Sequence, residues 1–367
     1  MKSAAILNSR QSLRPRGEEP WIQNTEMAVL DAVGKGYIIL ASVGMNAWEI
    51  PLYFASQHKA RINLVAPVKE EVRLDEVRQN YFDSFHLDAK RAEFTPIFIP
   101  RGRQFKENFM QARDEKVLET ADVIYPVSIR SGGNLEGLIE KMARQGAVLI
   151  TGFQVKYELA SSECKIDIDP ARISSRLDSL LENYLIHWTR SVSSPWPGET
   201  AFQYYNDVVS AEGRYPRSAM ATLARIMEQR KIVASGRHMR KGVSAVSFTG
   251  ARPSESIKLM RWRARYREMT FEPYGVAIEK EVAADCGVRK VYYGEPEMYD
   301  YLDEKDKQYF QGLGKEGYWL SENEYRHIGD IDLRKVPSEK STIIVWKREE
   351  AEEIARLFQG EIVSVYD

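Results

Sequence analysis

Cysteine is scarce in this chain. Among 367 residues the two cysteines, Cys164 and Cys286, lie far apart, without a CxxC pair or a cluster with histidine. That scarcity argues against a disulfide framework and against a structural zinc site. We therefore expect a reduced protein of the cytoplasm that holds no metal.

Long apolar runs are also missing. No stretch approaches the roughly 18 consecutive apolar residues that a membrane helix needs. The first apolar run, Ala4–Asn8, is too short for a signal peptide. We therefore expect no membrane partner.

Neither sign of charge is in excess. The 52 Lys and Arg residues nearly balance the 53 Asp and Glu residues, which gives a formal net charge of −1 at pH 7. This balance argues against binding of nucleic acid through global charge, although a local basic patch is compatible with it. The 43% of hydrophobic residues and the many aromatic ones indicate a folded core. The length suits two domains, or three.

Apolar and amphipathic segments alternate over the first 155 residues. The apolar runs predict strands at Ala4–Asn8, Tyr37–Ser42, Ile62–Val65, Thr95–Ile99, Asp122–Ser128 and Ala147–Gly152. Helices are predicted at about 25–33, 48–58, 106–120 and 135–145, with a polar excursion over 69–90. Strands without polar alternation are typical of a sheet that is covered on both faces. The pattern predicts an α/β domain over 1–160 with a Rossmann-like, doubly wound parallel sheet.

Capping residues set the expected helix ends in this domain. Asn24 or Thr25 can cap the first helix, and Asn134 can cap the last one. We place the end of the domain within 155–180.

Three predicted strand ends carry residues that suit an anion. Ligands of open parallel sheets bind at the carboxyl ends of strands, where glycine lets backbone N–H groups approach a phosphate and a helix N-terminus favours negative charge. Nearby arginines can supply counter-charge. The candidate nucleotide-binding residues are Ser9, Arg10, Ser42, Gly44, Arg113, Arg130, Ser131, Gly132, Gly133 and Asn134.

The alternative is that each glycine forms only a tight turn and that the arginines are solvated. The GxGxxG fingerprint of dinucleotide-binding domains and the P-loop pattern are both absent from the sequence.

The strand ends of the first half resemble those of the SLOG superfamily, which joins the DNA-processing protein DprA with the Lonely Guy phosphoribohydrolases. The matching segments are Asn8-Ser9-Arg10, Ser42-Val43-Gly44-Met45, Arg113 with Ala121-Asp122, and Ser131-Gly132-Gly133. The resemblance covers 1–155 and implies a nucleotide-binding, Rossmann-like domain.

The sequence departs from the Lonely Guy pattern Gly-Gly-x-Gly-Thr-x-x-Glu, because Asn134 and Leu135 follow Gly133 directly. The hydrolytic glutamate of that pattern therefore has no clear counterpart. Glu136 and Glu140 are candidates, but an acidic residue in the first turn stabilises any helix. We favour nucleotide binding or sensing over phosphoribohydrolase activity.

The second half, 180–367, has a different pattern of segments. Strands are predicted at Asn183–Thr189, Val243–Thr249, Thr342–Trp346 and Ile362–Tyr366, and helices at Ser218–Gln229 and Glu349–Phe358. This mixture predicts a separate α+β domain.

The second half resembles AbiG-type abortive-infection proteins and, in the order of its motifs, ADP-ribosyltransferase folds. The segments that carry the resemblance are His187-Trp188-Thr189, Ser247-Phe248-Thr249, Pro273-Tyr274-Gly275-Val276 and Glu322-Asn323-Glu324-Tyr325-Arg326. It implies that His187 holds NAD and that Glu322 or Glu324 stabilises an oxocarbenium-like transition state, so these three are the candidate catalytic residues. The alternative is a buried structural histidine beside a solvated strand edge.

A basic segment precedes the middle of this half. Arg261, Arg263, Arg265 and Arg267 alternate with Trp262 and Tyr266, among other residues. The arrangement indicates either a charged surface or a strip that binds phosphates or nucleic acid, with bases stacking on the aromatic rings.

Together these patterns predict a two-domain bacterial defence or stress protein, in which the first domain senses a nucleotide and the second acts as effector. The cofactor stays open between NAD and another nucleotide, and whether the chain is an enzyme also stays open. The alternatives are a DprA-like protein that binds single-stranded DNA without catalysis and a Lonely Guy-like hydrolase of nucleoside monophosphates. A homo-oligomer is compatible with either.

Overall fold

The computed structural model describes residues 1–69, 73–99, 105–158, 166–237, 239, 242–313 and 318–366. Its contacts divide the chain into two units. Unit 1 comprises Met1–Ser162 and Ser193–Pro216, and unit 2 comprises Glu163–Val192 and Arg217–Asp367. Cys164 lies outside the described residues.

Strands and helices alternate through the first part of unit 1. They are β1 (Ser3–Asn8), α1 (Pro20–Gly34), β2 (Ile38–Ala41), α2 (Asn46–Gln57), β3 (Ile62–Lys69), α3 (Leu74–Ser84), β4 (Ala92–Ile99), α4 (Phe105–Thr120), β5 (Val123–Ser128), α5 (Asn134–Arg144) and β6 (Val148–Leu149).

The six strands form one parallel sheet in the order β4-β3-β2-β1-β5-β6. One face carries a core of side chains from α1, α2 and α3, together with Ala4 and Ile6 of β1. The other face packs Ala5 and Leu7 of β1 against α4 and α5. Alternate residues of a strand point to opposite faces, so a strand covered on both faces is apolar throughout. The predicted Rossmann-like, doubly wound parallel sheet is confirmed.

Three local predictions in unit 1 are wrong, each for a physical reason. Helix α1 begins at Pro20, because proline suits the first helical position, so Thr25 lies inside the helix and donates to the carbonyl of Trp21. The polar excursion contains α3, in which Phe82 is the buried residue, so no apolar stripe marks it. Helix α5 is capped at Gly133 rather than by the Asn134 side chain.

The chain from 166 onward has shorter elements. Its helices are α6 (Leu177–Leu180), α7 (Ala201–Ser210), α8 (Ala219–Gln229), α9 (Pro253–Lys258), α10 (Lys280–Asp285), α11 (Glu304–Lys307) and α12 (Ala351–Ala355). Its strands are β7 (Tyr184–Trp188), β8 (Lys231–Ile232), β9 (Ala245–Thr249), β10 (Trp262–Arg263), β11 (Glu268–Met269), β12 (Gly275–Glu279), β13 (Arg289–Lys290), β14 (Tyr292–Gly294), β15 (Phe310–Gly312), β16 (Glu324–Ile328), β17 (Ile331–Asp332), β18 (Ser341–Val345) and β19 (Glu361–Ser364).

Helix α7 belongs to unit 1, although it lies within the range 180–367 that the sequence assigns to a second domain. Tyr205 of α7 is buried, and its hydroxyl donates to Glu49 at 2.5 Å and to Asn46 at 3.0 Å. Its ring stacks on Phe85. The aromatic segment around α7 therefore completes the core on the α1 face of the sheet.

Unit 2 is built on a seven-stranded mixed sheet with the order β13-β16-β9-β7-β12-β18-β19. Neighbours are antiparallel except β18 and β19. One face packs on α8, α10 and α12, and the other on α6 and α9. The predicted separate domain of mixed strands and helices is confirmed.

The packing of α7 within unit 1 can be tested by substituting Gly17. A Cβ atom at Gly17 would collide with the backbone of Val209 in α7, whereas a Cβ at Gly137 in α5 would meet open space. Gly17→Ala should therefore destabilise the protein by about 2 kcal/mol or more, because backbone must move. Gly137→Ala should stabilise it by about 0.5–1 kcal/mol, since alanine favours the helix.

Unfolding in urea, followed by circular dichroism, measures both changes. Equal effects of the two substitutions would contradict the packing of α7 against the loop that holds Gly17.

Candidate functional site

The sheet of unit 1 changes its direction of winding between β1 and β5. From β1 the chain moves outward through β2, β3 and β4, and then crosses back to β5 on the other side of β1. The helices that follow β1 and β5 lie on opposite faces. In such sheets a crevice opens between the loops at this point, and ligands bind there.

Ser9 ties the loops after β1 and β5 together. Its backbone N–H donates to the carbonyl of Ser128 at 2.8 Å, and its hydroxyl accepts from the backbone N–H of Arg130 at 2.9 Å. Gln11 donates to the hydroxyl of Ser128 at 3.1 Å. Ser9, Gln11 and Ser128 are all buried, so the two loops form a fixed polar edge.

Asn8 places an unpartnered acceptor beside this edge. Its amide nitrogen donates to the hydroxyl of Thr25 at 2.9 Å, and that hydroxyl donates onward to the carbonyl of Trp21. The chain of donors fixes the orientation of the amide. Within the described ranges, the Oδ1 atom of Asn8 has no hydrogen-bond partner, although the residue is only 3% exposed. A buried acceptor without a partner is costly unless a ligand or water donates to it.

Arg10 and Arg130 stand next to the hydrogen bonds of Ser9, one on each loop. Both are exposed, and neither side chain forms an ion pair with any of the residues that the structure describes. The loop that holds Arg10 is fixed by the hydroxyl of Tyr157, which donates to the Arg10 carbonyl at 2.9 Å. The structure thus joins the loops that carry Ser9, Arg10 and Arg130.

The strand-end pattern includes Asn8 but not the other polar residues that line this edge. Gln11 and Thr25 belong to it, and Ser12 and Arg14 are buried in the same loop. A buried loop that keeps its polar side chains is unusual, since most loops lie on the surface. Their signal in the sequence is weak, because polar residues after a strand are ordinary for a loop.

The strand end after β2 is already occupied by the chain itself. The N–H of Gly44 donates to the carboxylate of Glu49 at 2.6 Å, and the hydroxyl of Ser42 donates to the carbonyl of Val65. Gly44 has φ +101°, and a Cβ there would press on the ring of Phe109. A phosphate at Gly44 would therefore meet the carboxylate of Glu49 and the ring of Phe109. The hydroxyl of Ser42 is already bonded to the chain.

The glycine turn after β5 is also partly filled. The N–H of Gly132 donates to the carboxylate of Glu136 at 2.7 Å, so this glutamate takes the place of an external anion. Ser131 and Asn134 are exposed, and Gly133 is partly buried. A ligand at this turn has to displace Glu136 or bind beside it.

Arg113 is buried inside unit 1, beside the loop that follows β2. Its guanidinium pairs with Asp114 at 2.8 Å, donates to the carbonyl of Val43 at 3.1 Å and stacks on the ring of Trp48. Burial lowers the pKa of Arg113, and the charge of Asp114 opposes this change. These contacts give Arg113 a structural role.

Two carboxylates meet in unit 2, one on β16 and one just before it. Both oxygens of Glu324 accept from the guanidinium of Arg326, at 2.7 and 2.9 Å, and Ser247 donates to one of them at 2.9 Å. The Glu324 and Arg326 side chains are 14% and 7% exposed. Arg326 also donates to Gln311 at 2.9 Å. This network holds the Glu324 carboxylate in a fixed position.

Glu322 differs from Glu324 in its environment. Burial and the neighbouring charge of Glu324 raise the pKa of Glu322 to about 7, against the opposing effect of Arg263 and other arginines. Two carboxyl groups with such different surroundings can act as a proton-exchanging group and a fixed charge.

His187 does not join these carboxylates. Ile186 lies opposite Thr249, and Arg326 lies opposite Ser247, so these side chains share one face of the sheet. His187 follows Ile186 and therefore points to the other face, where its ring meets Phe248. The predicted trio of His187, Glu322 and Glu324 is thus split by the sheet.

The hydrogen bonding of His187 suits a structural histidine. Its Nδ1 atom lies 2.8 Å from the carbonyl of Ser247. Burial lowers the pKa of His187, and the charge of Arg190 lowers it further, so the neutral ring is favoured.

The four arginines of the basic segment do not form a continuous strip. Strands β10 and β11 pair as a short hairpin, in which Arg265 and Arg267 lie in the turn. Arg263 pairs with Glu268 across the hairpin at 2.6 Å and stacks on Tyr266. Arg261 precedes the hairpin and is exposed. The four side chains are separated because the chain reverses at 264–267.

Glu322 makes the stability of the protein depend on pH. Its pKa is higher in the folded chain than the ordinary value of 4.5, so the folded state holds this proton more tightly. The contribution of Glu322 to stability is fully present below pH 4.5 and is lost as the pH rises through about 7. The stability of the wild type relative to Glu322→Gln should therefore fall by on the order of 2 kcal/mol between pH 5 and 8.

Urea unfolding of the two proteins at pH 5, 6, 7 and 8 measures this difference. A difference that stays constant over this range would contradict the proposed environment of Glu322.

Comparisons with known proteins give little similarity. No protein-family model matches the chain, and the comparison with curated proteins gives no match. Among solved structures, the X-ray structure of DNA processing protein A (DprA) from Streptococcus pneumoniae matches with a TM-score of 0.28 and 11% sequence identity. The match covers 42% of this chain and 59% of that chain, which is less than two thirds of its length. We therefore assign the fold of unit 1 from the order and direction of its own strands and not from this match.

The described ranges contain neither a membrane-spanning helix nor a group of side chains that could hold a metal ion. None of the helices in the described ranges has the length and apolar character to cross a bilayer. Within the same ranges, no three or more His, Cys, Asp or Glu side chains are grouped in a way that could hold a metal ion.

Proposed function

We propose that unit 1 binds a nucleotide at the carboxyl edge of its sheet, between the loops that follow β1 and β5. The observation that carries this proposal is that Arg10 and Arg130, both exposed, lie on two loops that Ser9 joins. Guanidinium groups bind phosphate through two parallel hydrogen bonds. Two of them at the point where the winding changes direction suit the phosphates of a nucleotide.

The polar edge behind these arginines supports a nucleotide over a bare anion. Among the described residues the Oδ1 atom of Asn8 has no donor, and a carbonyl oxygen can take a hydrogen bond but repels negative charge. A ribose hydroxyl or an amino group of a base can donate to it, whereas a fully ionised phosphate cannot. The ligand that suits both features has an anionic end and a neutral, hydrogen-bonding end.

Nucleotide binding fits a sensor better than a hydrolase in unit 1. The sequence offers Glu136 and Glu140 as candidates for a hydrolytic glutamate, but the Glu136 carboxylate accepts from the N–H of Gly132, and Glu140 is exposed. A role in defence or stress, a homo-oligomer and the binding of single-stranded DNA stay predictions from the sequence.

The first test removes both arginines. Arg10→Ala combined with Arg130→Ala should abolish the thermal stabilisation that the wild type shows with the best ligand among NAD, ADP-ribose, AMP, ATP and cyclic nucleotides. A ligand at 100 times its dissociation constant adds about 2.7 kcal/mol, which is a shift of several degrees. Arg144→Ala is the matched control, because Arg144 is exposed at the far end of α5.

A stabilising nucleotide whose effect survives the double substitution would contradict the proposed site. Stabilisation by a short single-stranded DNA and by no nucleotide would favour the DprA-like alternative instead.

We further propose that unit 2 is the effector and that Glu322 and Glu324 act on the bond between ribose and nicotinamide in NAD. The supporting observation is the contrast between the two carboxyl groups: Arg326 and Ser247 fix Glu324, while the pKa of Glu322 is raised to about 7. As that bond breaks, positive charge develops on the ribose, and a fixed carboxylate stabilises it. Glu322 takes a proton from the attacking water, and nicotinamide leaves as a neutral molecule.

The second test follows the release of nicotinamide from NAD between pH 6 and 8. The rate should rise through a midpoint near 7 as Glu322 loses its proton, and Glu322→Gln should reduce it by about 100-fold or more. Glu304→Gln is the control, because that side chain is 89% exposed on α11. A wild type that releases no nicotinamide, or a Glu322→Gln variant that keeps the rate, would overturn this role.

A further inference from the structure

Three arginines from separate segments of unit 2 surround one buried glutamate. Glu268 on β11 lies 2.6 Å from Arg263 of β10, 2.8 Å from Arg237 and 3.4 Å from Arg190, measured between side-chain nitrogen and oxygen atoms. Arg190 follows β7, and Arg237 lies in the loop between β8 and β9. The three residues are far apart in the sequence, so the fold alone brings them together. We call this group the Glu268 cluster.

The Glu268 cluster has more positive than negative charge. Burial lowers the pKa of Arg190, and the like charges of Arg237 and Arg263 lower it further, against the attraction of Glu268. The three arginines hold the pKa of Glu268 below its ordinary value, although burial acts in the other direction. One carboxylate therefore forms ion pairs with three guanidinium groups, each of which has five N–H donors.

The positive groups face the solvent and the negative one lies beneath them. The side chain of Glu268 is 6% exposed, whereas those of Arg237, Arg190 and Arg263 are 40%, 24% and 23% exposed. An anion that approaches from the solvent therefore meets the arginines first. Guanidinium groups that converge in this way match the oxygens of a phosphate.

Other charges nearby leave this excess in place. Glu272 is buried, and its carboxylate accepts from the backbone N–H and the hydroxyl of Ser191, at 2.6 and 3.1 Å. Glu322 interacts with Arg263 and, to a smaller extent, with Arg261, so counting Glu322 and Arg261 together leaves the charge of the Glu268 cluster unchanged. With Glu268 and Glu272 counted against the three arginines, the Glu268 cluster keeps a positive charge.

We propose that Arg190, Arg237 and Arg263 bind the phosphate group of a phosphate monoester on unit 2, above the buried carboxylate of Glu268. A monoester is favoured over a phosphodiester because its second negative charge and third terminal oxygen match three guanidinium groups better than two. This site belongs to unit 2 and is independent of the nucleotide site proposed for unit 1.

Titration calorimetry of the full chain with inorganic phosphate at low ionic strength tests the proposal. Arg237→Ala should weaken the binding at least tenfold, and it should fold because the side chain is 40% exposed. Arg265→Ala is the matched control and should change the affinity less than twofold, since Arg265 lies in the turn of the β10–β11 hairpin and stacks on Tyr266.

Two further proteins separate this site from its alternatives. The variant with both Arg10→Ala and Arg130→Ala should keep the phosphate binding that Arg237→Ala loses. Glu268→Gln should bind phosphate at least threefold more tightly than the wild type, because the internal carboxylate no longer competes for the arginines. Dimethyl phosphate, which models a phosphodiester, should bind at least tenfold more weakly than phosphate.

Three results would overturn the proposal: no phosphate binding by the wild type, equal binding by Arg237→Ala, or equal binding of dimethyl phosphate. Loss of phosphate binding in the double variant of unit 1 would instead assign the ion to Arg10 and Arg130. Each of these outcomes leaves the nucleotide proposal to its own test.

Discussion

The reversal of winding between β1 and β5 is the constraint on which the candidate site of unit 1 depends. A parallel sheet that is covered on both faces must place its crossovers on both sides, and the two directions meet at neighbouring strands. At that place the loops diverge toward opposite faces and leave their polar groups at the edge. Ser9 holds the loops together, and the exposed Arg10 and Arg130 lie on these two loops.

Unit 2 shows how the faces of a sheet decide which side chains can work together. Glu324, Arg326 and Ser247 share a face because of the antiparallel register between β16 and β9. His187 lies one residue away from that face, and one residue is enough to point a side chain to the other side. The charged groups that remain together are carboxylates and arginines.

The sequence predicts the sheet of unit 1 well, because strands buried on both faces are apolar along their whole length. Helix α3 was not predicted, because Phe82 is its one buried residue and no apolar stripe marks the helix. Helix α7 lies within the range predicted for the second domain, because its place in unit 1 depends on tertiary contacts such as that of Tyr205 with Glu49. The three arginines around Glu268 could not be predicted, since Arg190 and Arg263 are brought together by the fold and by no local pattern. The strand-end arginines were predictable, because topology alone places them at one edge.

Hydrogen–deuterium exchange of the full chain, with and without the nucleotide that stabilises it most, tests the central claim most directly. If the nucleotide binds between the loops after β1 and β5, peptides that cover 8–16 and 128–133 should exchange more slowly when it is bound. The turn at 42–45 should not change, because Glu49 and Phe109 already fill it. Protection of the turn at 42–45, or of unit 2 alone, would contradict the account.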